Sequence, residues 1–265
     1  MRQHANRNGL RSEREGSAVI LSIDRPEAGN AISLEVAREL RVQLAHVAKN
    51  KHLRAVILTG AGGRFFSSGG DLRRYSRLHT GRQLDRVFGY LRQTLTTIER
   101  LDKIVIAAID GIALGGGAEL SLACDLRIAS RGARIGFPQA RLGLSPAWHG
   151  ARRLVELLGR GAAMRLLLSA EPVPATEAQR IGLVDVLTLR GTALAAALDW
   201  TRQLERAGPL ALGAIKRVLL AAARQRSARS VRLEEDVFRR LWLSDDHREA
   251  ERAFLEKRAP RFRGC

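Results

Sequence analysis

Cysteine is scarce in this chain, lysine nearly so, and no long apolar run goes unbroken; each shortage closes off a class of protein. Two cysteines in 265 residues, Cys124 inside an apolar stretch and Cys265 at the end, give no disulfide framework and fit a reducing cytoplasm. The longest apolar stretch, 104–130, is interrupted by Asp110 and Glu119, which argues against a membrane span. The opening MRQHANRNGLRSERE is polar and basic with no apolar h-region, so residues 1–15 read as a loose basic arm and not a signal peptide. HExxH, GxxxxGK[ST] and GxSxG are all missing, leaving metal, P-loop and serine-hydrolase readings without support. A dinucleotide fold is disfavoured as well: the glycine triplet is not GxGxxG, and twenty residues beyond Glu119 stands Gln139.

What is present concentrates in two glycine clusters. Residues 104–130 read IVIAAIDGIALGGGAELSLACDLRIAS: a β-branched run, a turn at Asp110-Gly111, three glycines, then Glu119 opening a helix-compatible run. Glycine is costly in backbone entropy, so a triplet suggests that something must approach the main chain. At a helix start the first N–H groups lack intrahelical partners and the macrodipole favours negative charge. Amides aimed at a developing oxyanion, with a carboxylate alongside to move a proton, are the equipment for making an enolate from a carbonyl compound. The structural alternative is tight packing of a helix on a sheet, with Glu119 a dipole partner worth ~0.3–1 kcal/mol.

The second cluster supplies a partner. Residues 53–72, LRAVILTGAGGRFFSSGGDL, again run from a strand into a loop with exposed backbone. Two donors from two separated segments are what a bound carbonyl oxygen needs. Around them, the runs AVILSI, AVILTG, IVIAAI and DLRIAS alternate with helical stretches at Leu34–Lys49 and 83–100, which predicts β/α units. Beyond about residue 192 the pattern is purely helical, with Pro209 acceptable in a first turn and Ser244 opening the last helix.

These pieces resemble the crotonase superfamily, also called the enoyl-CoA hydratase/isomerase family. The likeness rests on IDRPEAGNAIS (23–33), AVILTGAGGRFFSSGGDL (55–72), IDGIALGGGAELSLACDLRIAS (109–130), GFPQARLGLSP (136–146), AQRIGLVDVL (178–187) and AFLEKRAPRF (253–262). It implies an α/β fold: a crotonase-like spiral of repeated ββα units over 16–191, followed over 192–265 by an all-helical oligomerisation region. It also implies a homotrimer or a hexamer built as a dimer of trimers. The oxyanion donors carry over to the amides of Gly70 and Gly116, and the first catalytic carboxylate to Glu119. The second carboxylate should stand where this chain reads Phe137-Pro138-Gln139. Gln139 can orient a water but has no proton to exchange near neutral pH.

By the same resemblance the coenzyme A part of the substrate is held by Arg25, Glu27 and Ala28 of the DRPxxxNA-like loop. Ser68, Gly69, Asp71, Leu72, Arg73 and Gly115 line its path, Trp148 narrows the acyl end, and Phe238 and Lys257 face the coenzyme of an adjacent chain. No permanently bound cofactor is implied. Residue by residue there are plainer roles: a turn at Arg25-Pro26, a charged first-turn residue at Arg73, loop-fixing for Asp71 and Asp125, a core anchor at Phe238, solvated charge at Lys257, and a hydrogen-bonded structural histidine at His149.

The leading expectation is an acyl-CoA enzyme that stabilises a thioester enolate, an enoyl-CoA hydratase or isomerase. An alternative is decarboxylation of a malonyl-type CoA thioester, since FSSGGDL, LGGGAEL and PAWHGARRLVELLG are similar to ethylmalonyl-CoA decarboxylase, where the second carboxylate is likewise missing. A third, of another class, is an RNA-binding protein on the same scaffold. That one is motivated by the formal net charge of +18, from 45 basic and 27 acidic residues, of which only Lys49, Lys51, Lys103, Lys216 and Lys257 are lysines. A basic surface attracts polyanionic coenzyme A equally well, and the run AARQRSARSVR at 222–232 has no aromatic residue for base stacking.

Overall fold

The computed structural model describes residues 4–224 and 228–261; the arginine-rich run at 222–232 lies partly outside them, and Phe262 and Cys265 wholly. The chain opens with β1 (His4–Arg7), β2 (Leu10–Glu15), β3 (Ala18–Ile23) and α1 (Leu34–Lys49). One pattern is then repeated. It appears first as β4 (Ala55–Gly60), β5 (Phe65–Ser67), α2 (Leu72–Tyr75) and α3 (Gly81–Arg100), next as β6 (Ile104–Ile109), β7 (Ile112–Leu114) and α4 (Gly116–Leu122), and again as β8 (Leu126–Ser130), β9 (Arg134–Gly136) and α5 (Gly150–Ser169). The remainder is β10 (Val173–Pro174), α6 (Ala175–Arg180), β11 (Val186–Thr188), α7 (Ala193–Leu204), α8 (Pro209–Arg224), α9 (Ala228–Trp242) and α10 (Asp245–Leu255).

In every repeat the first strand joins a large sheet and the second a small one. Among the described residues the large sheet is ordered β1-β2-β3-β4-β6-β8-β11 and the small one β10-β9-β7-β5. From β3 to β11 the large sheet is parallel, and so are β5, β7 and β9. This is the expected spiral of ββα units. Its central strands are apolar throughout because both faces are covered. Val56, Leu58, Val105, Ala107 and Ile109 face the main core with α1 and α3, whereas Ala55, Ile57, Ile106, Ala108 and Ile128 face the other way.

Two expectations need correction. Residues 10–15 are not a loose arm: Leu10–Glu15 pairs antiparallel with Ala18–Ile23 across a turn at Gly16, whose φ is 56°, and buries Leu10. The alternation L-S-R against R-E-E is a strand paired on both sides, with β1 and β3, whose R-E-E face lies towards water, which reads as merely polar in sequence. Nor does the helical region separate cleanly at 192, because α7 lays the small residues Ala193 and Ala197 onto the second face of the large sheet.

Helix α8 is fixed by a buried charge. Lys216 Nζ donates to Asp125 Oδ2 at 2.7 Å and to the carbonyls of Ile98 and Lys103 at 3.2 and 3.1 Å, and Asp125 Oδ2 also accepts from Val105 N at 2.7 Å. Burial pushes the Asp125 carboxyl pKa up, and Lys216 pulls against that rise. Asp125 thus fixes the loop before β8, as expected. Removing one partner of a buried pair leaves an uncompensated charge. Lys216→Met is therefore expected to lower unfolding stability by about 3 kcal/mol, measurable by urea denaturation; an unchanged midpoint would show that the pair holds nothing in place.

Candidate active site

The small sheet decides which loops meet. Phe65 and Ser67 of β5 register with Ile112 and Ala113 of β7, and Ile112, Ala113 and Leu114 register with Arg134, Ile135 and Gly136 of β9. Parallel neighbours end on the same edge, so the segments after β5, β7 and β9 emerge side by side: Ser68 to Asp71, Gly115 and Gly116, and Phe137 to Gln139. Glycine is required where they touch. A Cβ on Gly69, whose φ is 108°, would stand 2.9 Å from Leu114 O and 3.0 Å from Gly116 N, and one on Gly117 would stand 2.3 Å from Ser67 O.

Two amides are left over. The bridge between Ile32 and Gly70 uses the Gly69 carbonyl (2.8 Å) and the Asp71 N–H (3.1 Å), not the Gly70 N–H. In the triplet, Gly115 N donates to Gly136 O at 3.0 Å, whereas Gly116 opens α4 and its N–H has no acceptor within the helix. The structure therefore brings together the two donors that the sequence nominated, Gly70 and Gly116.

Glu119 lies one helical turn further on and is 2% exposed. Its carboxylate accepts four N–H groups: Gln139 Nε2 (3.0 Å) and Ala147 N (3.3 Å) on Oε1, and Trp148 N (2.8 Å) and Gly150 N (2.9 Å) on Oε2. Burial pushes its pKa up, while the N–H groups of Trp148, Ala147 and Gly150 and the charge of Arg153 act in the opposite sense. Four donors fill the lone-pair directions of a carboxylate. In this arrangement Glu119, expected alongside the glycine amides, also grips the 147–150 loop. Gln139 completes the pattern: its Nε2 faces Glu119, and its Oε1 is buried without a partner. An orphaned buried acceptor is costly, so this oxygen awaits a donor.

The 147–150 loop also carries Trp148, a fully buried side chain. Its indole covers both glycines: a Cβ on Gly116 would lie 2.4 Å from two ring carbons, and one on Gly70 3.6 Å from a third. Close packing against Trp148 is thus a second reason for glycine at 116; at 70 the tighter neighbour is the Tyr75 ring, 3.0 Å from where a Cβ would stand. Sequence reasoning missed the loop's support. Arg153, 3% exposed, donates to Trp148 O at 2.6 Å and pairs with Glu99, which also binds Arg152. A buried arginine pair on α5 looks in sequence like one more piece of a basic helix.

The peripheral candidates divide. Arg25 is turned inward, donating to Ala31 O (2.7 Å) and Asp71 Oδ2 (2.9 Å), while Asp71 also faces Arg74 at 3.5 Å; both act as loop-fixers. Ser68 ties its loop to the 3₁₀ turn Pro26–Ala28 through Ser68 N to Gly29 O at 2.8 Å, which places Ala28 beside it. Glu27, Arg73 and Lys257 are exposed, and Leu72 is half-buried. Phe238 is 3% exposed, with Phe88 at 4.6 Å and Trp242 at 5.5 Å between ring centroids, which places it as the core anchor that was the plainer of its two expected roles. Its place at the inward face of an amphipathic helix was the available signal.

If the indole dictates glycine at 116, Gly116→Ala should cost about 1–3 kcal/mol through overpacking. In a Trp148→Gly background, itself destabilised by the lost ring, the same Gly116→Ala change should cost little further in thermal unfolding. A Gly116→Ala protein as stable as the parent would refute the packing claim.

Comparison with known proteins agrees with this architecture. The family model described as enoyl-CoA hydratase/isomerase matches residues 13–265. A short-chain-enoyl-CoA hydratase of Clostridium acetobutylicum is 33% identical over 252 residues, covering 95% of this chain and 96% of its own. The crystal structure of a carnitinyl-CoA hydratase from Mycobacterium avium superposes with a TM-score of 0.86 at 34% identity, over 98% of this chain and 100% of that one. A methylmalonyl-CoA decarboxylase in complex with 2-nitronate-propionyl-CoA reaches a TM-score of 0.86 at 22% identity, over 97% and 98% of the two chains, a likeness of fold alone.

Proposed function

Because the chain belongs to the enoyl-CoA hydratase/isomerase family, we propose that it adds water to, or shifts the double bond of, an enoyl-CoA thioester whose carbonyl oxygen accepts from Gly70 N and Gly116 N. The observation that carries this reading is the closeness of the two glycine loops, with Gly116 N 3.0 Å from where a Gly69 Cβ would stand and neither amide used by the fold. Each oxyanion donor is worth about 2.7–4 kcal/mol. Two cannot supply the ~8–23 kcal/mol of an enzyme, so proton transfer must add to them.

Glu119 provides it, with Gln139 orienting the water. The Oε1 edge of Glu119 carries the longest of its four bonds, to Ala147 N at 3.3 Å, and is the edge that yields to a water. That water donates one hydrogen to Gln139 Oε1, which lacks a partner, and the other to Glu119 Oε1. As its oxygen bonds to the β-carbon, the π electrons move into the enolate, Glu119 takes the proton, and the same group returns it to the α-carbon. Retaining one carboxylate and one amide demands that single-acid route.

A specific observation favours a second reading. Four donors on Glu119 and an amide at 139 also suit decarboxylation of a malonyl-type thioester, in which the bond to the carboxylate breaks, carbon dioxide leaves with no base, and the electron pair enters the same enolate. The coenzyme is part of the substrate, and exposed Arg73 and Lys257 are offered to its phosphates. We assign the +18 charge to attraction of this polyanion and not to RNA, for which free glycine amides have no use. Ile215, Val218 and Leu219 stand 58, 68 and 64% exposed on α8 and support assembly as a homotrimer or hexamer. Among the described residues no helix is long and apolar enough to cross a membrane; cytoplasmic residence is proposed.

The test is incubation with a panel of 2-enoyl- and malonyl-type CoA thioesters in heavy water, read by mass spectrometry. Hydration with one deuterium at the α-carbon is expected, and Glu119→Gln should slow it at least about 100-fold. Hydration by that variant at the parental rate would reject the assigned role, and carbon dioxide release without hydration would select the second reading.

A further inference from the structure

His149 is a left-handed residue without being glycine, with φ 64° and ψ 30° at the N-cap of α5. That conformation costs a side-chain-bearing residue roughly 1–2 kcal/mol. It has a visible purpose, because the residues on either side, Trp148 and Gly150, both aim their N–H groups at one oxygen, Glu119 Oε2, at 2.8 and 2.9 Å. Glycine would hold the same turn without strain. The imidazole must therefore contribute something that glycine does not, and its contact identifies what. Nε2 lies 3.1 Å from Glu235 Oε1, and the same oxygen is 3.0 Å from Arg92 Nε. One carboxylate on α9 thus joins α3 to the loop that holds Glu119 and carries Trp148.

We propose that His149, tied to Glu235 and Arg92, is a positioning residue through which α9 sets both the grip on Glu119 and the seat of the Trp148 indole over Gly70 and Gly116. The loop has three restraints: Glu119 on its N–H groups, Arg153 on its Trp148 carbonyl, and Glu235 on its one side chain that reaches α9. The first two belong to the core of the chain. The third comes from the C-terminal helices, so a shift of α9 is transmitted to the site through His149. His149, Glu235 and Arg92 take no part in the proton transfer proposed for Glu119; they act on it through the loop.

As a statement about turnover, the inference rests on the function proposed above. His149→Gly keeps the left-handed turn and removes the tie; Glu235→Gln keeps the length and removes the charge. Each should lower kcat about tenfold on the best thioester substrate with KM within about twofold, and the double variant should fall no further than the singles, as residues acting in one unit do. Parental kcat in both single variants, or losses that multiply in the double, would overturn the proposal. A second readout needs no substrate. In protein labelled with ¹⁵N-glycine and ¹⁵N-tryptophan, the Gly150 and Trp148 amide protons should sit downfield from bonding to a carboxylate and move upfield in both variants. Unmoved signals overturn the latch even in an active enzyme. If the parent turns over no thioester yet the signals move in its variants, the latch stands while the function reading falls.

Discussion

The parallel pairing of β5, β7 and β9 is the constraint on which the site depends. Three short strands in register finish on one edge, and the chain leaves each as a loop that carries one component: Gly70, then Gly116, then Gln139. None of these loops is held by its own hydrogen bonds alone. They are placed because the large sheet, apolar on both faces, fixes the first strand of every repeat, and the turn from each first strand to its second is a few residues long. The spacing of donors at the site is thus inherited from the spacing of strands, about 4.8 Å.

Once the loops are adjacent, the same residues serve packing and chemistry. Gly116 must lack a side chain for the Trp148 ring, and its amide must lack an acceptor for a ligand oxygen; one glycine meets both conditions. Glu119 is likewise double. Its four N–H partners make it the organiser of the 147–150 loop, and burial keeps its pKa above that of an ordinary carboxyl, suited to taking and returning a proton.

Much of this was legible in the chain. Leu34–Lys49 is a helix as read, because Ser33 caps it, accepting from Val36 N, and its apolar residues repeat at helical spacing. The helix read from residue 83 begins at Gly81, since Thr80 and Gln83 form a capping box that starts it earlier. Gly70, Gly116 and Gln139 were nameable because glycine clusters and a missing acid leave marks in sequence. The hold on Glu119 was not, for its donors are mostly main-chain N–H groups about thirty residues away, and backbone carries no letter code. The burial of Phe238 and the tie between His149 and Glu235, 86 residues apart, depend on how α9 docks, which the sequence does not encode locally.

The most direct test of the central claim, that two main-chain amides hold the thioester oxygen, is the vibrational frequency of that carbonyl. With a ¹³C-labelled enoyl-CoA bound to the protein, difference infrared spectroscopy should place the C=O stretch below its value for the same thioester in water, because two preorganised donors polarise the bond. A bound thioester whose carbonyl absorbs at the aqueous frequency would contradict the account.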